Sequence, residues 1–122
     1  DTTVMVKLRL PDRKEPDLMP WKSFLGKLKN PVHAVRIGLI GKYHELQDAY
    51  KSIFEAFIHA GAVNECRVKV VPIHSETLAG DYAEVERKLD EFDGILVAPG
   101  FGERGIEGKI NAVRYAREHN IP

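Results

Sequence analysis

The feature that most constrains the fold is an apolar run that breaks into a glycine-rich loop and then continues as a helical pattern. Residues 94–108 hold five of the ten glycines in the chain. The apolar run at 94–98 predicts a buried parallel strand, and the periodic apolar residues at 110–116 predict a helix. The loop therefore lies at the carboxyl end of a strand. In open α/β sheets ligands bind there, because backbone N–H groups at a helix N-terminus favour anions.

The loop also contains Gly-x-Gly-x-x-Gly at 100–105, the spacing of a dinucleotide-binding turn. That fingerprint normally follows the first strand of its unit and needs an acidic residue at the end of the next strand. Glu118 has a suitable separation but falls in the predicted helix, and Pro99 and the charged Glu103–Arg104 pair fit poorly. Another possibility is a turn whose glycines only let a helix pack closely on its strand.

The composition is that of one globular domain with a formal net charge of zero. We therefore expect neither a general nucleic-acid binder nor an anionic-membrane binder, since both carry an excess of Lys and Arg. No apolar run has the length of a membrane span, and no signal-peptide pattern opens the chain. The single Cys66 cannot form an internal disulfide, which fits a cytoplasmic protein. The five histidines lack metal-ligand spacing, so we expect no metal site.

Residues 1–34 predict an interdomain linker, since they hold four of the seven prolines. The apolar residues at 4–10 suit a strand or one face of a helix. A short amphipathic helix is predicted after Asp17 as N-cap, and Asn30 with the following proline ends it. Its apolar stripe carries Trp21, which needs a surface to pack on, either in this domain or in a neighbouring one.

Residues 35–122 predict repeating strand and helix units, and therefore a doubly wound, mostly parallel α/β sheet with flanking helices. Pro72 predicts that the second strand is an edge strand or ends there. Gly61 is placed as the C-cap of the first helix of this region. The predicted strands are 35–41, 67–73 and 94–98. The predicted helices start near Leu46, Asp81 and Ile110, and the second of them ends near Glu91. Ile121–Pro122 has the character of an opening fourth strand.

Three stretches together resemble the CTP synthase family. These are the run Ile37–Ser52 with its Gly-Lys-Tyr and Leu-x-Asp-Ala-Tyr-x-Ser strings, the loop Gly94–Gly108 with Phe-Gly-x-Arg-Gly-x-Glu-Gly, and the tail Tyr115–Pro122. The resemblance covers about residues 8–122. It implies the linker and the first half of that family's class I glutamine amidotransferase domain, with flavodoxin-like layering that is truncated here.

The resemblance implies amination of UTP to CTP with ATP and Mg²⁺, using ammonia from glutamine. Glutamine hydrolysis would use a Cys thiolate activated by His and Glu. That Cys would lie beyond Pro122, so we expect no catalytic residue in this chain, no cofactor bound by it, and no activity from it alone. An amidoligase domain of the same chain and a homotetramer are implied as partners.

Within this chain, the resemblance implies that the backbone N–H of Gly100 belongs to the oxyanion hole and contributes to the glutamine site. The sequence has Pro99 where the family usually has glycine, and proline has no N–H to donate.

The family is also activated by GTP. Phe101 and Arg104 are candidate contacts for guanine or its phosphates, and Lys42 and Tyr43 are further candidates on the same rim. Alternatively, Phe101 packs under the loop and Arg104 pairs with Glu107. For the chain as a whole, the alternative function is a non-catalytic flavodoxin-like module that binds a nucleotide or phosphate.

Overall fold

The computed structural model describes residues 2–10, 16–42, 47–100 and 102–122. Three parallel strands form one sheet in the order β2-β1-β3. In chain order the elements are α1 (Thr2–Lys7), α2 (Met19–Lys29), β1 (His33–Gly41), a 3-10 helix (Gln47–Tyr50), α3 (Lys51–Val63), β2 (Cys66–His74), a second 3-10 helix (Ser75–Leu78), α4 (Tyr82–Leu89), β3 (Gly94–Val97) and α5 (Ile106–Glu118).

The central strand β1 has two buried faces, which explains its nearly continuous apolar sequence. Successive side chains of a strand point to opposite faces, so Leu39 and Ile40 belong to different clusters. Leu39 packs with Tyr50 and Ala98, next to α3. Ile40 packs on the other face with buried residues of α4, α5, the second 3-10 helix and the segment between α4 and β3, namely Leu78, Val85, Leu89, Phe92, Ala112 and Tyr115. Helices therefore cover both faces, and the predicted doubly wound α/β class is confirmed.

The edge position of β2 is also confirmed for the strands that the structure describes. Pro72 pairs in register with Leu39 of β1, and β2 continues beyond it to His74. The chain end Ile121–Pro122 does not form a fourth strand. The Pro122 carbonyl nevertheless accepts the Ile95 N–H at 2.8 Å, so the tail runs alongside β3.

Gly61 is not a C-cap, because it lies inside α3 and is buried. A Cβ at Gly61 would lie 2.6 Å from the carbonyl oxygen of Cys66, so glycine allows the end of α3 to approach the start of β2. The capping position is Asn64, whose N–H donates to the Ala60 carbonyl at 3.1 Å. The end of α4 also differs from the prediction, because the helix ends at Leu89 and not near Glu91.

The N-terminal segment is helical in both places where the sequence suggested order. Residues 4–7 lie in α1, so the helix alternative is correct for them, and residues 8–10 follow the end of that helix. The N-cap position of α2 is Leu18, one residue after the prediction, although the Asp17 carboxylate does accept the Met19 N–H at 2.9 Å. Helix α2 lies against α3, where the Phe24 and His59 rings are 5.5 Å apart. Trp21 stacks on Phe24 and remains 58% exposed.

Candidate functional site

The loops that follow β1 and β3 lie side by side at the carboxyl edge of the sheet. The chain leaves β1 toward β2 on one side and later returns to β3 on the other, so the strand order reverses between β1 and β3. Ligands of open α/β folds bind in the crevice at such a reversal. Lys42 directly follows β1, and Gly100 lies shortly after β3. Both predicted site residues therefore lie at the position that this fold favours for a binding site.

Ala98, where the β3 loop begins, is held at both of its backbone polar groups. Its N–H donates to the Ile40 carbonyl at 2.8 Å, and its carbonyl accepts from Lys109 Nζ at 2.8 Å. The residue is 1% exposed. Pro99 follows with its φ fixed by the ring, and the exposed Gly100 comes next. The Gly100 amide thus follows two residues with little conformational freedom.

Lys42 holds the other end of the same loop. Its ammonium group donates to the Gly102 carbonyl at 2.7 Å, and its backbone N–H donates to the Tyr50 hydroxyl at 3.1 Å. Gly102 has φ of 85°, a conformation that favours glycine. A Cβ on Gly100 would lie 3.6 Å from Lys109 Nζ and 3.7 Å from Lys42 Cδ. Two lysine side chains, one from the loop after β1 and one from α5, therefore flank Gly100.

This part of the site is electropositive. Burial, followed by the nearby Lys42 charge, lowers the pKa of Lys109 below its ordinary value. Both effects reflect a cation that is partly removed from water beside a like charge. A negative charge near Gly100 would attract both ammonium groups and so offset the cost of burying Lys109 beside Lys42. The arrangement therefore suits an anion or an oxyanion.

Arg104 lies further along the loop and pairs with Glu76 of the second 3-10 helix. Its Nε and Nη2 donate to the two Glu76 carboxylate oxygens. The sequence alternative in which Arg104 pairs with Glu107 is wrong, since the partner of Arg104 among the residues that the structure describes is Glu76. The hydrogen bond from Arg104 is the main reason why the pKa of Glu76 lies below its ordinary value. His74 Nδ1 is 3.8 Å from the same carboxylate.

Helix α5 begins close to the second 3-10 helix. Gly105 is its N-cap residue, with φ of 72°. A Cβ on Gly105 would overlap the Ser75 hydroxyl, and one on Gly108 would overlap the Ser75 carbonyl oxygen. The glycines at 105 and 108 therefore serve the close approach of a helix, which is the packing role that the sequence left open for part of this loop.

Two predicted site residues, Tyr43 and Phe101, lie outside the described residues. Cys66 starts β2 and pairs with His33, so it lies at the amino edge of the sheet, away from Gly100. Within the described ranges, no group of three His, Cys, Asp or Glu residues is arranged to hold a metal ion. Also within those ranges, no helix has the length and apolar character needed to cross a membrane.

Sequence reasoning missed Lys109 and Glu76. Lys109 had a detectable signal, because it lies in the first turns of a helix, where the macrodipole disfavours a cation. Such a position suggests that a nearby acceptor holds the ammonium group. Glu76 had no comparable signal, since its pairing with Arg104 depends on how the loops after β2 and β3 approach each other.

Residues 45–122 match the sequence model of the family described as glutamine amidotransferase class-I. The chain belongs to the class I glutamine amidotransferase family. Within it, the chain is similar to CTP synthases over its full length, with 62% identity to that of Flavobacterium johnsoniae and 63% to that of Cytophaga hutchinsonii. In each comparison the match spans 100% of this chain and 22% of the relative.

A solved structure gives the same result at the level of the fold. The glutaminase domain of Trypanosoma brucei CTPS, determined with bound acivicin, is 40% identical and superposes with a TM-score of 0.65. The superposition covers 72% of this chain and 34% of that chain. The predicted resemblance to a CTP synthase amidotransferase domain is confirmed.

Proposed function

We propose that this chain forms part of a CTP synthase, an enzyme that aminates UTP to CTP with ammonia from glutamine. The observation that carries the proposal is the Gly100 loop, held by Lys109 and Lys42 at the strand-order reversal of an amidotransferase fold. A fixed loop with an exposed glycine suits the stabilisation of an oxyanion, because its backbone donors need not reorganise during the reaction. The similarity to CTP synthases along all 122 residues supports the particular substrates.

In this proposal the Gly100 N–H donates to the tetrahedral oxyanion of glutamine hydrolysis. Pro99 has no N–H, so the amide of residue 99 is excluded as a donor. The nucleophile would be a Cys activated by His and Glu, supplied by other parts of the enzyme. Cys66 is not that nucleophile, since it lies at the opposite edge of the sheet.

We further propose that Arg104, Lys42, Tyr43 and Phe101 contribute to a GTP site on the same rim. Support comes from Arg104, whose side chain is 71% exposed although Glu76 orients it. Replacement of Arg104 by Met should weaken GTP stimulation of the glutamine-dependent rate and spare the ammonia-dependent rate. Equal losses in both rates would contradict this part of the proposal.

We also propose that the chain divides after residue 34. Residues 1–34 would be the linker to an amidoligase domain and residues 35–122 the first half of the glutaminase domain. ATP and Mg²⁺ would act in the amidoligase domain. A cytoplasmic homotetramer is the assembly that the similarity to CTP synthases favours.

The test is CTP formation by the complete enzyme, followed by absorbance with either glutamine or ammonia as nitrogen source. We expect both sources to support CTP formation from UTP, ATP and Mg²⁺, with GTP stimulating only the glutamine reaction. Nucleotide binding without either reaction would instead favour a non-catalytic binding module.

A further inference from the structure

We propose that Lys109 is a positioning residue for the Gly100 amide: its ammonium group fixes the Ala98–Pro99 peptide and thereby sets the direction in which Gly100 donates. The inference rests on the proposed function, because it gives Lys109 a task within the same glutamine-hydrolysing site. Lys109 itself would not contact the reacting atoms.

The argument starts with the constraints along the backbone. A peptide unit is planar, so the Lys109 hydrogen bond to the Ala98 carbonyl orients the whole plane that joins residues 98 and 99. The Ala98 N–H is already bound to β1 through the Ile40 carbonyl. The proline ring then fixes φ of residue 99. Between this fixed plane and the Gly100 N–H, only ψ of Pro99 remains free to rotate.

The position of Lys109 is unfavourable for an ordinary surface lysine. It lies near the N-terminus of α5, where the helix dipole repels a cation. Burial and Lys42 also lower its pKa. Among the described residues it forms no ion pair, and its polar partner is the Ala98 carbonyl. The hydrogen bond to the Ala98 carbonyl is the polar contact that offsets these unfavourable terms, which points to a role in holding the loop.

The experiment compares Lys109→Met, Lys109→Arg and Arg117→Met in the complete enzyme. Met removes the donor and keeps the aliphatic stem, Arg keeps a cationic donor, and Arg117→Met removes an exposed cation from the same helix. Misplacement of a catalytic group costs up to about 100-fold in rate, so we expect Lys109→Met to lower glutamine-dependent kcat by roughly 10- to 100-fold. KM for glutamine and ammonia-dependent CTP formation should change little. Lys109→Arg should recover most of the loss, and Arg117→Met should resemble the wild type.

A Pro99→Gly variant gives a second test. If Lys109 had a merely structural role, the loss in kcat caused by Lys109→Met would not depend on the residue at position 99. Replacing Pro99 by Gly frees φ, so the loop then depends more on the Lys109 hydrogen bond. We therefore expect the Lys109→Met loss in kcat to be larger in the Pro99→Gly background than in the wild type. Equal losses in the two backgrounds would overturn the inference.

Other outcomes separate this inference from the proposed function. If the wild type makes CTP from glutamine and Lys109→Met does so equally well, Lys109 has no positioning role although the proposed function stands. If hydrogen exchange in residues 106–118 rises strongly in Lys109→Met, its role is to stabilise α5 and the inference is overturned. A wild type without glutamine-dependent activity would refute both.

Discussion

At the residue scale, Ser75 determines why two positions near the start of α5 are glycine. It is 0% exposed, and its hydroxyl has no hydrogen-bond partner among the described residues. Gly105 lies against that hydroxyl and Gly108 against the Ser75 carbonyl oxygen. A side chain at either position would force α5 away from the second 3-10 helix, and with it the loop that carries Gly100.

Replacement of Gly108 by Ala should therefore destabilise α5. The added methyl group would overlap a backbone oxygen, and overpacking of this kind costs about 1–3 kcal/mol. Hydrogen exchange of residues 106–118 is the measurement, with faster exchange expected. The matched control is Gly26→Ala, because a Cβ on Gly26 in α2 meets nothing within 4 Å. It should stabilise α2 by about 0.5–1 kcal/mol, since alanine favours a helix more than glycine does.

Replacement of Gly100 by Pro tests the proposed oxyanion donor directly. Loss of one such donor costs roughly 100- to 1,000-fold in turnover. We expect that loss in the glutamine-dependent rate of the complete enzyme and not in the ammonia-dependent rate. Pro99→Gly removes no donor and should stay within about a few fold of the wild type. A normal glutamine-dependent rate in Gly100→Pro, or equal loss of both rates, would show that Gly100 is not the donor.

At the scale of elements, polar contacts join α4 to the C-terminal half of α5. The Tyr82 hydroxyl donates to Glu118 Oε2 at 2.6 Å, and Arg114 Nε donates to Glu118 Oε1 at 2.9 Å. The Arg114 guanidinium also lies over the Tyr82 ring at 4.1 Å. Burial and the bond to Glu118 raise the pKa of Tyr82 to about 12. The bond from Tyr82, followed by that from Arg114, lowers the pKa of Glu118.

These shifts predict how a Tyr82→Phe variant depends on pH. Because the pKa of Glu118 is lowered in the fold, its contribution is present above its ordinary value of 4.5 and is lost as pH falls through the lowered value. Because the pKa of Tyr82 is raised, its contribution is present below 10.0 and is lost as pH rises toward about 12. The Tm difference between wild type and Tyr82→Phe should therefore be largest between these limits. A difference that stays constant across the whole range would contradict this assignment.

At the scale of the whole molecule, large apolar side chains on the outer faces remain exposed. On α5, Ile110 is 53% and Val113 is 55% exposed, and Trp21 on α2 is 58% exposed. Leu96 of β3 is 36% exposed beside α3. Such surfaces favour association with another protein surface.

Residues 1–122 on their own should therefore self-associate and should not hydrolyse glutamine. Exposed apolar faces drive the association, and Cys66 lies too far from Gly100 to act as nucleophile. Sedimentation measures the first property, and ammonia release from glutamine measures the second. A compact monomer with a cooperative melt would contradict the first expectation, and ammonia above a buffer blank would contradict the second.

Much of the fold was predictable because strand and helix periodicities are local. The buried run ending at Gly41, the edge strand with Pro72 and the loop after β3 all follow from short stretches of sequence. Gly61 was misassigned because a glycine that ends a helix and a glycine that allows close packing look alike in sequence. The carbonyl of Cys66, which explains Gly61, belongs to the following strand.

The sequence by itself determined the α/β class, the position of the Gly100 loop after a strand, and the exclusion of residue 99 as an N–H donor. These depend on side-chain type and on neighbours along the chain. Only the tertiary structure decided that Lys109 holds Ala98, that Lys42 holds Gly102 and that Arg104 pairs with Glu76. Each of these contacts joins separate elements or loops, and the strand order β2-β1-β3 brings those elements together. Local periodicity carries no information about that order, because strand pairing is set by packing across the sheet.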